Sequence, residues 1–244
     1  MFSEVLPAHS FIIISTIMII RFTWQYTLAF ICLGSMMGIS HELAHHVAGF
    51  FICGEWGYKT FNSFQLAEGC LAAHPVTAWL ATLAGPILFN YIPMWIGYFK
   101  IKKGSPDEKM FGITLIFSTI PIMRIVFNLM GANDESAVLR AFAGDNQTAF
   151  WLMNACIWLI TFPPLLLAFR SISNANRLSI FLIYLLAFPV FVFLFFGIFM
   201  EDLITKYQFL SDTLWGMPYL VILMEILVYI GYYASRNSIK IARS

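Results

Sequence analysis

Residues 38–49 read GISHELAHHVAG. His41 and His45 stand four apart, a spacing that on a helix stacks two imidazoles on one face and suits two bonds to one metal ion. Glu42 is too close along the helix to share that role. It can lean over an open coordination position and take a proton from a bound water. The H-E-x-x-H spacing therefore carries two ligands and a general base, the chemistry of a zinc-activated water. His46 faces about 100° away from His45 and reads as a packing or hydrogen-bonding residue, not a ligand.

A catalytic zinc has three protein ligands and one water. The H-x-x-G-x-x-H continuation that would supply a third histidine fails at Ala48 and Phe51. The best remaining candidate is Asp134, in FNLMGANDESA. Its neighbour Glu135, and Glu68 and His74 nearer the histidines, are the alternatives. Asp134 and Glu135 would equally suit a solvated loop or an acidic helix start ahead of Ser136.

These residues sit in a chain built for lipid. Of 244 residues, 60% are hydrophobic and 11% charged, and mean hydropathy is +0.78. A soluble domain carries roughly a quarter charged residues, so the composition predicts an all-α, polytopic membrane protein. Apolar segments at 5–20, 27–53, 75–98, 111–130, 148–169, 178–200 and 217–234 predict about seven spans. Between them, 54–74 is punctuated by Gly54, Gly57 and Gly69, and its YKTFNSFQL alternates as a surface hairpin would. No repeat or linker divides the chain, so 1–244 reads as one membrane domain. Cys53 and Cys70 flank the 54–74 loop and either pair, if that loop faces an oxidising compartment, or remain free apolar thiols.

Ionisable groups cost roughly 2.5–3.5 kcal/mol each at the centre of a membrane helix. A shared metal offsets that cost for the histidines. Arg124 and Glu225 also fall inside apolar segments, and are expected to pair with each other or, for Arg124, to snorkel outward. With the 99–110 loop inside, ten Lys and Arg residues fall on the cytoplasmic side, against Lys59, Arg140 and Lys206 outside. The positive-inside rule then predicts a cytoplasmic C-terminus and a metal site near the outer face. The net charge of +1 gives no basis for a nucleic-acid partner.

HELAHH within an apolar helix, the later ATLAGPILFN and an acidic motif preceded by Asn128 together resemble the site-2 protease family of intramembrane zinc metalloproteases. The resemblance covers roughly 27–145 and leaves 146–244 as further transmembrane helices. Gly85, Pro86 and Asn90 match the family's Gly-Pro and Asn element, and Asn128 and Asp134 resemble its third. Gly131 stands where the family has Pro, and Glu135 follows Asp134 where it has Gly. No PDZ-like insertion is present. The resemblance implies one zinc ion held by His41, His45 and Asp134, Glu42 as base, and Asn90 holding substrate backbone. It also implies membrane-embedded polypeptides as substrates and the bilayer as surroundings. Members of the family hold zinc nearer the cytoplasmic face, whereas the charge count here puts it near the outer one. Read without the family, Gly85-Pro86 is a helix kink that allows close approach. A zinc-binding membrane protein without catalysis, and a zinc hydrolase of lipid amides or esters, fit the same motif.

Overall fold

A computed structural model describes residues 18–241. The expected segment 5–20 lies outside the described residues but for its last three. Among the described residues, five helical runs are long and apolar enough to cross a membrane. They are α1 (Trp24–Cys53), α2 (Ala78–Lys103), a broken run over Pro106–Ala143, α6 (Gln147–Ser171) and α7 (Arg177–Lys206). A shorter apolar helix, α8 (Tyr219–Ser235), follows. The chain is thus a helical protein whose long apolar helices fit an integral membrane protein. Large apolar side chains on their outer faces, such as Leu159 on α6 and Leu194 on α7, are exposed as lipid contact requires.

Helix α1 starts at Thr23, whose hydroxyl accepts the Tyr26 N–H at 3.2 Å. It stops at Gly54, whose left-handed backbone (φ 76°) lets its N–H return to the Phe50 carbonyl. Its 30 residues span about 45 Å, longer than the roughly 30 Å hydrocarbon core. Tyr26, Thr114 and Tyr184 join hydroxyls inside the bundle and tie α1 to the third run and to α7.

The expected straight span over 111–130 is instead the middle of the broken run. It comprises α3 (Pro106–Ser118), α4 (Pro121–Leu129) and α5 (Asp134–Ala143). Ser105 and Glu108 form a capping box that starts α3. The first break falls at Ile120, which adopts a left-handed conformation (φ 51°) just before Pro121. A β-branched residue there costs about 1–2 kcal/mol. The second break ends on Asn133, whose side chain caps α5 by accepting the Ser136 N–H at 3.1 Å. Asn128 braces both pieces, accepting from the Ser136 hydroxyl at 3.2 Å and donating to Asn154 of α6 at 2.8 Å.

The 54–74 segment carries an antiparallel pair, β1 (Tyr58–Lys59) with β2 (Phe64–Gln65), in the register Lys59↔Phe64. Cys53 and Cys70 are joined in a disulfide that closes this loop on the end of α1. A second pair, β3 (Thr213–Leu214) with β4 (Met217–Pro218), lies beside it. The Lys59 N–H reaches the Gly216 carbonyl at 3.0 Å.

The expected pairing of Arg124 with Glu225 does not occur. Glu225 on α8 forms a salt bridge with Lys59, which is fully buried. Arg124 bonds acidic residues ten and eleven positions on in its own broken run. The breaks fold that run back on itself, so Arg124 meets a partner that a straight helix would have carried away. Lys59 lies on the hairpin, and the hairpin packs inward over α8. Removing one partner of a buried ion pair costs about 3–5 kcal/mol, while replacing both by apolar residues costs far less. Lys59→Met is therefore expected to lower the thermal unfolding midpoint in detergent sharply, and Lys59→Met/Glu225→Leu to restore most of it. An unchanged midpoint for the single variant would mean the pair carries no structural weight.

Candidate metal centre

The four-residue spacing on α1 puts His41 and His45 on one face, ring centroids 4.6 Å apart and nearly perpendicular. Their Nε2 atoms are 3.0 Å apart. The start of α5 brings Asp134 to the same point, with Oδ2 at 3.2 Å from His41 Nε2 and Oδ1 at 3.7 Å from His45 Nε2. Bonds of about 2.0–2.1 Å in a tetrahedral arrangement put neighbouring ligand atoms roughly 3.3 Å apart. The three groups are therefore spaced as ligands of one small ion.

The orientation of His45 follows from its other nitrogen. Nδ1 donates to the Ala81 carbonyl on α2 at 2.7 Å. That bond leaves Nε2 as the lone-pair nitrogen turned toward His41 and Asp134, the tautomer a metal ligand needs. Phe64 of β2 stacks on the imidazole at 4.3 Å. Gly85 completes the seat: a Cβ there would lie 2.5 Å from His45 Nε2 and 2.8 Å from the His41 carbonyl. Pro86, next in the chain, begins a π-helical stretch, Pro86–Tyr91, within α2. Such bulges re-aim side chains, and here Asn90 and Tyr91 both turn toward the centre.

Glu42 belongs to the same cluster. One ligand atom each of His41, Glu42 and His45 falls within 4.8 Å of the others, so the group could bind a metal ion. Glu42 also lines a cavity of about 370 Å³ that opens beside the histidines. Asn90 lines it too, donating to the Thr119 carbonyl at 2.7 Å while its buried Oδ1 has no partner. The opposite wall is apolar, from Val192, Phe193 and Phe196 of α7.

Of the alternatives to Asp134, Glu135 is engaged elsewhere. Its carboxylate accepts from the Tyr91 hydroxyl, from Asn133 Nδ2 at 2.6 Å and from Arg124 Nη1 at 3.3 Å. Glu68 is exposed in the loop before Cys70, and His74 ends the short helix Cys70–Ala73. Neither joins the metal-ligand group found among the described residues, which consists of His41, Glu42 and His45 and does not include Asp134 either. His46 donates to the Trp215 carbonyl at 2.8 Å and stacks on Trp56, outside the centre.

Sequence reasoning missed Tyr91, Asn133 and the role of Arg124. The signal for Asn133 was present, since Asn ahead of two acidic residues is an N-cap pattern. Arg124 bridges the carboxylates of Asp134 and Glu135, so these two acids share one cation. No protein family, curated protein or solved structure matches this chain.

The Gly85 contact yields a direct expectation. Gly85→Ala must push α2 from α1 or displace the His45 ring, and either breaks the ligand triangle. Metal content of the purified variant, measured by mass spectrometry, is expected to fall well below one ion per chain. Full occupancy in that variant would mean the close approach is not needed to seat His45.

Proposed function

We propose that this chain is an intramembrane zinc metalloprotease of the site-2 protease type, cleaving membrane-associated polypeptides. The observation that carries the reading is the convergence of His41 Nε2, His45 Nε2 and the Asp134 carboxylate within an apolar helical bundle, with His41, Glu42 and Asp134 lining a cavity there. Three protein ligands leave one position open, the mark of a catalytic rather than a structural zinc site.

A zinc ion held by His41, His45 and Asp134 would supply a water acidified to a pKa of about 7. Glu42 is placed to take a proton from a water held at that position and to return it to a leaving nitrogen. Hydrolysis would then add the water oxygen to the carbonyl carbon, break the carbon–nitrogen bond and release a neutral amine. Asn90 Oδ1 offers an unpaired acceptor for a substrate backbone N–H, while its Nδ2 stays anchored on Thr119. The apolar wall from α7 suits a segment arriving from lipid. The Cys53–Cys70 disulfide supports placing the 54–74 loop outside, because disulfides persist in oxidising compartments. The charge count agrees, and together they favour a cytoplasmic C-terminus.

Glu42→Gln separates the roles of this residue. As a base rather than a ligand, its loss leaves zinc bound at wild-type stoichiometry. It is expected to lower cleavage of a fluorogenic transmembrane peptide in detergent by about 10²–10⁴-fold. Zinc loss in that variant would make Glu42 a fourth ligand and the site structural. Undiminished cleavage would rule out the mechanism.

A further inference from the structure

Asp134 and Glu135 are adjacent on the first turn of α5, and the Asp134 carboxylate meets both histidines. A single nitrogen separates their fates. Arg124 Nη1 lies 2.9 Å from Asp134 Oδ2 and 3.3 Å from Glu135 Oε2, bridging the two. Glu135 is held from two further sides, by the Tyr91 hydroxyl and by Asn133 Nδ2. Asp134 keeps Oδ1 toward His45 and shares Oδ2 between Arg124 and His41.

We propose that Arg124 is the positioning residue that decides which acidic side chain completes the metal site, presenting Asp134 and holding Glu135 aside. The proposal rests on the metal reading above. Without the guanidinium, two carboxylates on successive residues repel each other in a site that water screens poorly. Glu135, longer by one methylene, would then be restrained from swinging toward the ion only by Tyr91 and Asn133. A second carboxylate ligand would fill the position that water must occupy. Arg124 is only 12% exposed, so its charge acts on these two partners with little loss to solvent. Its bridge is made by one nitrogen, which a lysine ammonium can partly reproduce.

The test uses the full chain in detergent, with zinc titration and with cobalt(II) in place of zinc. Cobalt absorption in the visible range reports coordination number without reference to activity. Arg124→Gln is expected to raise the zinc Kd about 10–100-fold, the usual effect of removing a group that orients a ligand, and to change the cobalt bands. Arg124→Lys should lie nearer wild type in both. A zinc Kd for Arg124→Gln within about two-fold of wild type, with an unchanged cobalt spectrum, overturns the proposal. Should Arg124→Gln fail to fold, Glu135→Gln decides it. That variant keeps the Arg124–Asp134 contact, so its zinc Kd is expected within about three-fold of wild type. A loss as large as that of Asp134→Asn would make Glu135 a ligand and overturn the assignment. A wild-type chain that takes up neither ion refutes the metal reading itself; wild-type uptake with an indifferent Arg124→Gln refutes only the positioning role.

Discussion

Helix α2 lies against α1 so closely at Gly85 that a single methyl group would meet the His45 ring. Much of the centre depends on that approach. It brings the Ala81 carbonyl to His45 Nδ1, which fixes the ring and its tautomer. It also carries the π-helical stretch after Pro86 to the same depth, so that Asn90 reaches Thr119 and Tyr91 reaches Glu135. In lipid there is no hydrophobic force between apolar helices, and small residues at contacts decide how near two backbones come. Gly85 sets the distance at which a polar cluster can be closed by protein groups alone.

The second requirement is irregular backbone at the depth of the helices. Irregular backbone is tolerated in a membrane only where protein or a cavity covers it. The first break in the Pro106–Ala143 run meets that condition, whereas Met130 and Ala132 in the second are exposed. The first, at Ser118–Ile120, lines the cavity and spends one carbonyl on Asn90. The second ends on Asn133, which caps α5 and braces Glu135. A continuous helix could not return Asp134 to Arg124 across ten residues, about 15 Å along its axis. The strain at Ile120 and the two buried asparagines are consistent with a segment shaped by its site rather than by helix propensity.

Much of this was legible in the sequence, though unevenly. The spacing of His41, Glu42 and His45 directly implies one helix face, because a 3.6-residue period maps spacing onto geometry. The long apolar runs were legible for the same reason, being a property of composition over twenty residues. The 111–130 segment misled, since its hydropathy is continuous while its backbone is not. Ile120 carries no turn signal, and only Pro121 hints at the break. The partners of Arg124 and Glu225 were illegible for a different reason. Pairing inside a bundle depends on which helix faces meet, and Lys59 looked like an ordinary loop charge until the hairpin placed it under α8. Choosing Asp134 over Glu135 likewise needs Tyr91, forty-four residues away in the chain.

The two buried ionic clusters differ in a way that bears on folding. Lys59 and Glu225 neutralise each other and need nothing more. The centre around Arg124 does not: Asp134 and Glu135 share one guanidinium, and the group beside them, His41, Glu42 and His45, could bind a metal ion. Binding energy at such a site is folding energy for whatever backbone delivers its ligands. Here one side of the triangle rides on α1, a helix capped at both ends and packed along its length. The other side rides on α5, reached through two breaks and held by asparagine side chains. A bound ion's contribution to order would therefore fall on the broken run, where the backbone has least of its own, with the histidine pair as the fixed edge against which that run would close.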